Sequence, residues 1–291
     1  MLKSPLYLPS DIERKVQMAR NQSTVTPEIA RLVLDCLDLT ALSGRESEDD
    51  IYRLCHQAIT YRLSAMCVLP DKVKIAAQWL KGTDVKVATV INFPYGYQRT
   101  NSDDLANVET TAEDVARAIG MGAKQIDIVQ PHDIRPGQAQ DIIRAARLAC
   151  PGDVTLKSIL ETASYKDTYD LANAALITIA SGADCITTSS GQHAHGGATL
   201  EAAAVLLQTI KHSGRSIGIK ISGGIRTAEE CAQYIALQRS FFGWNSVKPE
   251  NFRIGGSSVL DSLLQNLDIN REVVSRHHLA SANDQFSYQL Q

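Results

Sequence analysis

Short apolar, β-branched runs alternate along this chain with longer stretches whose apolar residues recur every three to four positions. The first kind occupies residues 31–39, 63–69, 85–92, 125–130, 155–161, 185–190, 217–222 and 252–257, giving eight candidate strands. The second kind fills most of the gaps, at 51–59, 105–119, 139–149, 165–180, 200–212 and 228–238, and predicts amphipathic helices. Strand followed by helix, repeated, demands right-handed crossovers and a parallel sheet. Eight repeats with near-continuous apolar strands predict closure into a (β/α)8 TIM barrel of class α/β, in preference to an open doubly wound sheet.

Local signals agree with this parsing. Thr227-Ala228-Glu229-Glu230 places a threonine cap three residues before a glutamate, the spacing of a capping box. Ser102-Asp103-Asp104 offers a weaker start before Leu105. The expected organisation is an N-terminal extension over 1–24, one barrel domain over 25–268 and a polar tail over 269–291 with too little apolar content to fold alone.

With 291 residues and 44% hydrophobic content the chain can fill one large core, since α/β barrels use about 200 to 250 residues as a single domain. A formal charge of -3 leaves no basic footprint for nucleic acid or an anionic membrane, and no run is long and apolar enough to span one. A small soluble partner is expected. Residues 1–20 spread their charges and lack a signal-peptide core, and the six cysteines are scattered through apolar patterns, so a reduced, cytoplasmic protein is predicted.

Barrel active sites gather at the C-terminal strand ends, so polar residues that interrupt the apolar runs are the candidates. Asp38 lies in the first strand, Asp127 in the fourth, Lys157 in the fifth, Thr187 and Thr188 in the sixth and Lys220 in the seventh. Charges pointing into a barrel need partners, and two lysines with two aspartates can satisfy one another. The same grouping suits chemistry: a desolvated lysine beside a second cation becomes a nucleophile towards a carbonyl, and a carboxyl group such as Asp127 can move protons. Asp38 and Cys67 are expected at the substrate pocket, Cys67 as a strand-borne core residue rather than a nucleophile.

Glycine-rich stretches mark the ends of the last three strands: Ser189-Ser190-Gly191 after the sixth, Ser222-Gly223-Gly224 after the seventh, and Gly255-Gly256-Ser257-Ser258 in or after the eighth. Such turns let backbone N–H groups approach a phosphate, and the loops after the late strands of a barrel are a recurring place for one. His193 and His195, two apart, have no evident third ligand, so no metal is expected.

These residues carry a resemblance. Leu37-Asp38-Leu39-Thr40, Ala65-Met66-Cys67-Val68 with Pro70, Ala88-Thr89-Val90 running into Asn92-Phe93-Pro94-Tyr95-Gly96, Ile126-Asp127-Ile128-Val129, Leu156-Lys157 with Glu161-Thr162, and Phe252-Arg253-Ile254-Gly255 with Ser257-Ser258 occur in order over about residues 34–264. In this the chain resembles the deoxyribose-phosphate aldolase family. The resemblance implies retro-aldol cleavage of 2-deoxyribose 5-phosphate to glyceraldehyde 3-phosphate and acetaldehyde, a role in carbohydrate and deoxyribonucleotide catabolism, and no cofactor. It implies that Lys220 is the second lysine, which lowers its partner's pKa, and Asp127 the proton-relay aspartate. Gly191, Gly223, Gly224, Arg226, Gly255, Ser257 and Ser258 match phosphate-loop positions. A homodimer is admitted, although nothing in the sequence fixes the oligomeric state, and Tyr288 matches the family's C-terminal tyrosine only loosely.

Two departures stand against those matches. The family's sixth strand reads Ile-Lys-Thr-Ser-Thr-Gly-Lys, whereas this chain reads Ile186-Thr187-Thr188-Ser189-Ser190-Gly191-Gln192, so the imine lysine and a loop lysine are both absent. The seventh reads Lys220-Ile221-Ser222-Gly223-Gly224 in place of Lys-Pro-Ala-Gly-Gly. Three readings follow: Lys220 itself forms the Schiff base, with Lys157 as its cationic neighbour; the barrel binds a sugar phosphate without aldol chemistry, in a regulatory or structural role; or Asp127 and Lys220 act as acid and base with no covalent intermediate.

Overall fold

The structure is a computed structural model and describes residues 8–94, 96, 107–131, 136–192 and 196–267. Eight strands, β1 (Leu37–Ala41), β2 (Ala65–Val68), β3 (Lys86–Ile91), β4 (Gln125–Val129), β5 (Thr155–Ile159), β6 (Cys185–Thr187), β7 (Gly218–Ser222) and β8 (Phe252–Gly256), pair in sequence order. All pairs are parallel, and β1 pairs with β8 through Leu37↔Ile254 and Asp38↔Gly255, closing the barrel. This is the (β/α)8 architecture that the alternating pattern predicts.

Around the strands run α1 (Ser10–Arg20), α2 (Pro27–Asp35), α3 (Glu48–Thr60), α4 (Val73–Trp79), α5 (Val108–Gly120), α6 (Pro136–Ala149), α7 (Thr168–Ala180), α8 (Leu200–Ser213), α9 (Ala228–Phe242) and α10 (Val259–Asn266). Strands are nearly continuous in apolar residues because both faces are covered, the barrel interior on one side and the helices on the other. The capping box at α9 is formed: Glu230 N–H donates to Thr227 Oγ1 at 3.2 Å, and Thr227 N–H donates to Glu230 Oε2 at 3.0 Å.

The structure corrects the expected first strand. Residues 31–35 of the predicted run belong to α2, and only Leu37 onwards is extended. Its apolar residues fit either period, and the deciding signal lies upstream, where Thr26 Oγ1 accepts from Ile29 N–H at 3.2 Å and Pro27 takes the first helical turn. The cap of α5 is Asn107, whose Oδ1 accepts from Thr110 N–H at 2.9 Å; Ser102, Asp103, Asp104 and Leu105 lie outside the described residues, as do the tail from 268, Tyr288, His193 and His195. Helices α4 and α10 had no counterpart in the expected pattern. Within the expected extension, α1 buries Ile12, Val16 and Ala19 and packs on α8 and α9.

No helix among the described residues is long and apolar enough to cross a membrane.

Candidate active site

Adjacent strands carry the inward charges at matching heights, with Asp127 and Lys157 as direct register partners across β4 and β5. Their side chains meet those of β1 and β7 inside the barrel. Lys157 Nζ lies 2.9 Å from Asp38 Oδ2 and 3.0 Å from Asp127 Oδ1. Lys220 Nζ lies 2.9 Å from the same Asp38 oxygen and 2.6 Å from Asp127 Oδ2. Arg253 closes the group by donating through Nη1 to Asp38 Oδ1. All five residues are buried. Their formal charges sum to one excess positive, which a barrel interior tolerates because every carboxylate oxygen faces a cation.

Electrostatics within this cluster oppose burial and override it. Burial disfavours the charged form of Asp38, yet Lys157, Lys220 and Arg253 hold its carboxyl well below the usual carboxylate range. Asp127 is likewise lowered, by Lys157 and Lys220 against the cost of burial. Burial on its own favours neutral Lys220, but Asp127 and Asp38 raise it well above the ordinary lysine range. Lys220 is therefore an ammonium, the opposite of the lowered amine that the Schiff-base reading requires.

Above the cluster, at the C-terminal ends of the strands, a cavity of about 300 Å³ opens between the turns after β6, β7 and β8. Asp127, Thr187, Lys220 and Cys67 line its floor, and Gly191, Gly223, Gly224, Arg226, Ser257 and Ser258 surround its upper part. Asp38 and Lys157 do not line it. Asp38 sits behind Lys220, and Lys157 with Arg253 borders a second cavity of about 990 Å³ at the opposite mouth. Asp38, expected at the substrate pocket, therefore does not border this cavity, and Lys157 is likewise kept one layer below it. The cause is the pairing itself, which draws both side chains inward. Cys67 does reach the cavity, but burial pushes its thiol up to about 12, so it is no nucleophile at neutral pH.

The turns have distinct duties. Gly223, at φ +93°, brings β7 against the β6 loop, and a Cβ there would lie 2.9 Å from Ser189 Cβ and 3.0 Å from Gly197 Cα. Gly255 belongs to β8 itself, and a Cβ on it would stand 2.7 Å from Lys220 Cε, so its smallness makes room for the lysine. The N–H of Gly191 is already given to Ser189 Oγ at 3.0 Å. Among the described residues the N–H groups of Gly223 and Gly224 have no protein acceptor.

Sequence reading missed two contributors. Arg253 was visible as the one charge in an otherwise apolar β8 run, the same signal that picked out Lys220. Glu161 ends the predicted fifth run and stands in a motif of the resemblance, but no role was expected of it. Fully buried and left-handed at φ 50°, it accepts from Ser189 Oγ and from Ser190 N–H, both at 2.9 Å, and so braces the β6 loop from β5. Beside this braced loop, Thr188 Oγ1 donates to Ser222 O at 2.9 Å and accepts from Ser222 N–H at 2.9 Å. Thr187 Oγ1 is buried and has no hydrogen-bond partner among the described residues.

Solved structures share this fold. A candidate deoxyribose-phosphate aldolase from Coccidioides immitis is 26% identical with a TM-score of 0.71, the match covering 88% of this chain and 96% of the other. QR15, an aldolase, is 27% identical with a TM-score of 0.64, over 85% of this chain and 98% of its own. The tetrameric deoxyribose phosphate aldolase from Aeropyrum pernix, at 23% identity and a TM-score of 0.68 over 88% of this chain and 97% of its own, is alike in fold. A family model for DeoC/LacD family aldolases matches residues 32–241, a span that includes the first seven strands with Asp38, Asp127, Lys157 and Lys220. By that match, made on the barrel whose closure and interior charges are described above, the chain belongs to the DeoC/LacD family of aldolases.

Proposed function

We propose that this chain is an aldolase-type carbon–carbon lyase acting on a small phosphorylated sugar or aldehyde, with 2-deoxyribose 5-phosphate as the substrate that its family implies. The observation that carries the reading is one cavity with two chemically different ends. Its upper end offers the open N–H groups of Gly223 and Gly224, the turn at Ser257 and Ser258 that leads into α10, and the exposed guanidinium of Arg226. These suit a phosphate dianion. Its floor offers the Lys220 ammonium and the Asp127 carboxylate, a donor and a base within hydrogen-bond reach of each other. Gly191 and Gly255 serve this site by shaping its walls, and Asp38 with Lys157 and Arg253 by fixing the charge state of the floor. No metal or organic cofactor is required in this reading.

A second reading has its own observation. Threonine at position 187 cannot form an imine, and the only lysine on the cavity floor among the described residues is held as an ammonium. A barrel with that floor suits sugar-phosphate binding without turnover, in a regulatory or structural role. Calorimetry with 2-deoxyribose 5-phosphate, run beside a coupled assay for glyceraldehyde 3-phosphate, separates the two. Binding with product release supports the lyase; binding alone supports the second reading; no binding by the folded protein removes both.

A further inference from the structure

Thr187 stands where the resemblance places a lysine, and its hydroxyl occupies an unusual position. It is 1% exposed, it belongs to the floor of the upper cavity, and its Oγ1 has no hydrogen-bond partner among the described residues. Buried hydroxyls are rarely left so, because an unmet donor and acceptor forfeits its bonds to water. Its neighbour Thr188 shows the ordinary case, with donor and acceptor both used by Ser222. Directly across the ladder, Thr187 is the register partner of Lys220, and both side chains enter the same cavity. Strand spacing sets their backbones about 5 Å apart. Lys220 has three N–H groups; two face Asp127 and Asp38, and the third has no acceptor among the described residues.

From this juxtaposition we infer that the Thr187 O–H and the third N–H of Lys220 form a two-donor site for one carbonyl or enolate oxygen, replacing covalent capture by hydrogen bonding. The inference rests on the sugar-phosphate reading of the cavity and specifies how the carbonyl end of that ligand is held. In retro-aldol cleavage the C3 hydroxyl gives its proton to the Asp127 carboxylate as the C2–C3 bond breaks. The pair from that bond forms the C1–C2 double bond, and the carbonyl π pair moves onto oxygen. The two donors meet the charge that develops there. Collapse of the enolate takes the proton back from Asp127 onto C2, releasing acetaldehyde and glyceraldehyde 3-phosphate and restoring the carboxylate. An ammonium at Lys220 is what this step needs, whereas an imine would need it neutral.

The test uses 2-deoxyribonate 5-phosphate, which carries a carboxylate in place of the C1 aldehyde and cannot form an imine, with inorganic phosphate as the reference ligand. Calorimetry on the full chain should show the Thr187→Val variant binding the deoxyribonate about tenfold or more weakly than the parent while binding phosphate unchanged. Thr187→Ser should retain the parent affinity for both. If the valine variant does not fold, Thr187→Ala removes the hydroxyl without a second methyl and carries the same expectation. Parent-like deoxyribonate binding by a variant lacking the hydroxyl would overturn the two-donor site while leaving the sugar-phosphate reading intact. A folded parent that binds neither ligand would overturn that reading, and this inference with it.

Discussion

Asp38 does not line the upper cavity, yet it holds Lys220, which does, together with Lys157 and Arg253. Its two oxygens face Arg253, Lys157 and Lys220 together, so removing the carboxylate leaves three buried cations with one remaining counter-charge. The Asp38→Ala variant is expected to lose about 3 to 5 kcal/mol of stability, read from urea denaturation monitored by circular dichroism. Gly255 makes a contrasting prediction. A methyl at that position meets Lys220 Cε at 2.7 Å and Ser222 Cβ at 2.9 Å, so both the paired lysine and β7 must give way. Gly255→Ala should therefore lower the urea midpoint and displace the lysine, weakening sugar-phosphate binding by calorimetry. At this scale the sequence was informative wherever a charge broke an apolar strand, which is how Asp38, Asp127, Lys157 and Lys220 stood out. It could not tell which of them faced a ligand and which faced one another, because that depends on how far each side chain reaches across a barrel that no local pattern describes.

The β6 loop owes its shape to β5 and β7 more than to itself. Glu161 fastens it from one side and the Gly223 approach from the other. Replacing Glu161 with Gln weakens the acceptor for Ser189 Oγ and Ser190 N–H, so the loop should loosen. Faster amide hydrogen exchange confined to residues 189–191 is expected, with the rest of the barrel unchanged. On the outside, α1 packs Ile12, Val16 and Ala19 against α8 and α9, and Ile12→Ala is expected to cost about 2 to 5 kcal/mol in the same denaturation experiment. Elements with one strong period were legible: seven of the expected strands overlap the observed ones closely, and so do the helices from α5 to α9. The exception shows the limit. Residues 31–39 are apolar enough to satisfy a helix and a strand at once, and the Thr26-Pro27 cap that decides between them lies upstream of the run itself.

For the molecule as a whole, the interior charges set a pH window. The carboxyls of Asp38 and Asp127 titrate lower in the folded protein than in the unfolded chain. Their stabilisation is thus full above the ordinary carboxylate range near pH 4 and is lost as pH falls below it towards the folded values. Lys220 titrates higher when folded. Its contribution is full below the ordinary lysine value, about 10.4, and is lost only as pH rises past that towards the folded value. Urea midpoints should accordingly be nearly level through the neutral range and fall at both extremes, and the acid limb should flatten in Asp38→Asn.

The same window bears on the chemistry, because an ammonium at Lys220 cannot capture a carbonyl near neutral pH. A lysine introduced at 187 would stand beside that ammonium and have its own charge disfavoured, as a nucleophilic amine requires. Intact-mass spectrometry after borohydride treatment with 2-deoxyribose 5-phosphate at neutral pH, on the parent and on Thr187→Lys side by side, tests this most directly. The parent should keep its own mass, and the variant should gain one reduced adduct that maps to residue 187. An adduct on Lys220 in the parent, or a folded variant that gains none, would contradict the account.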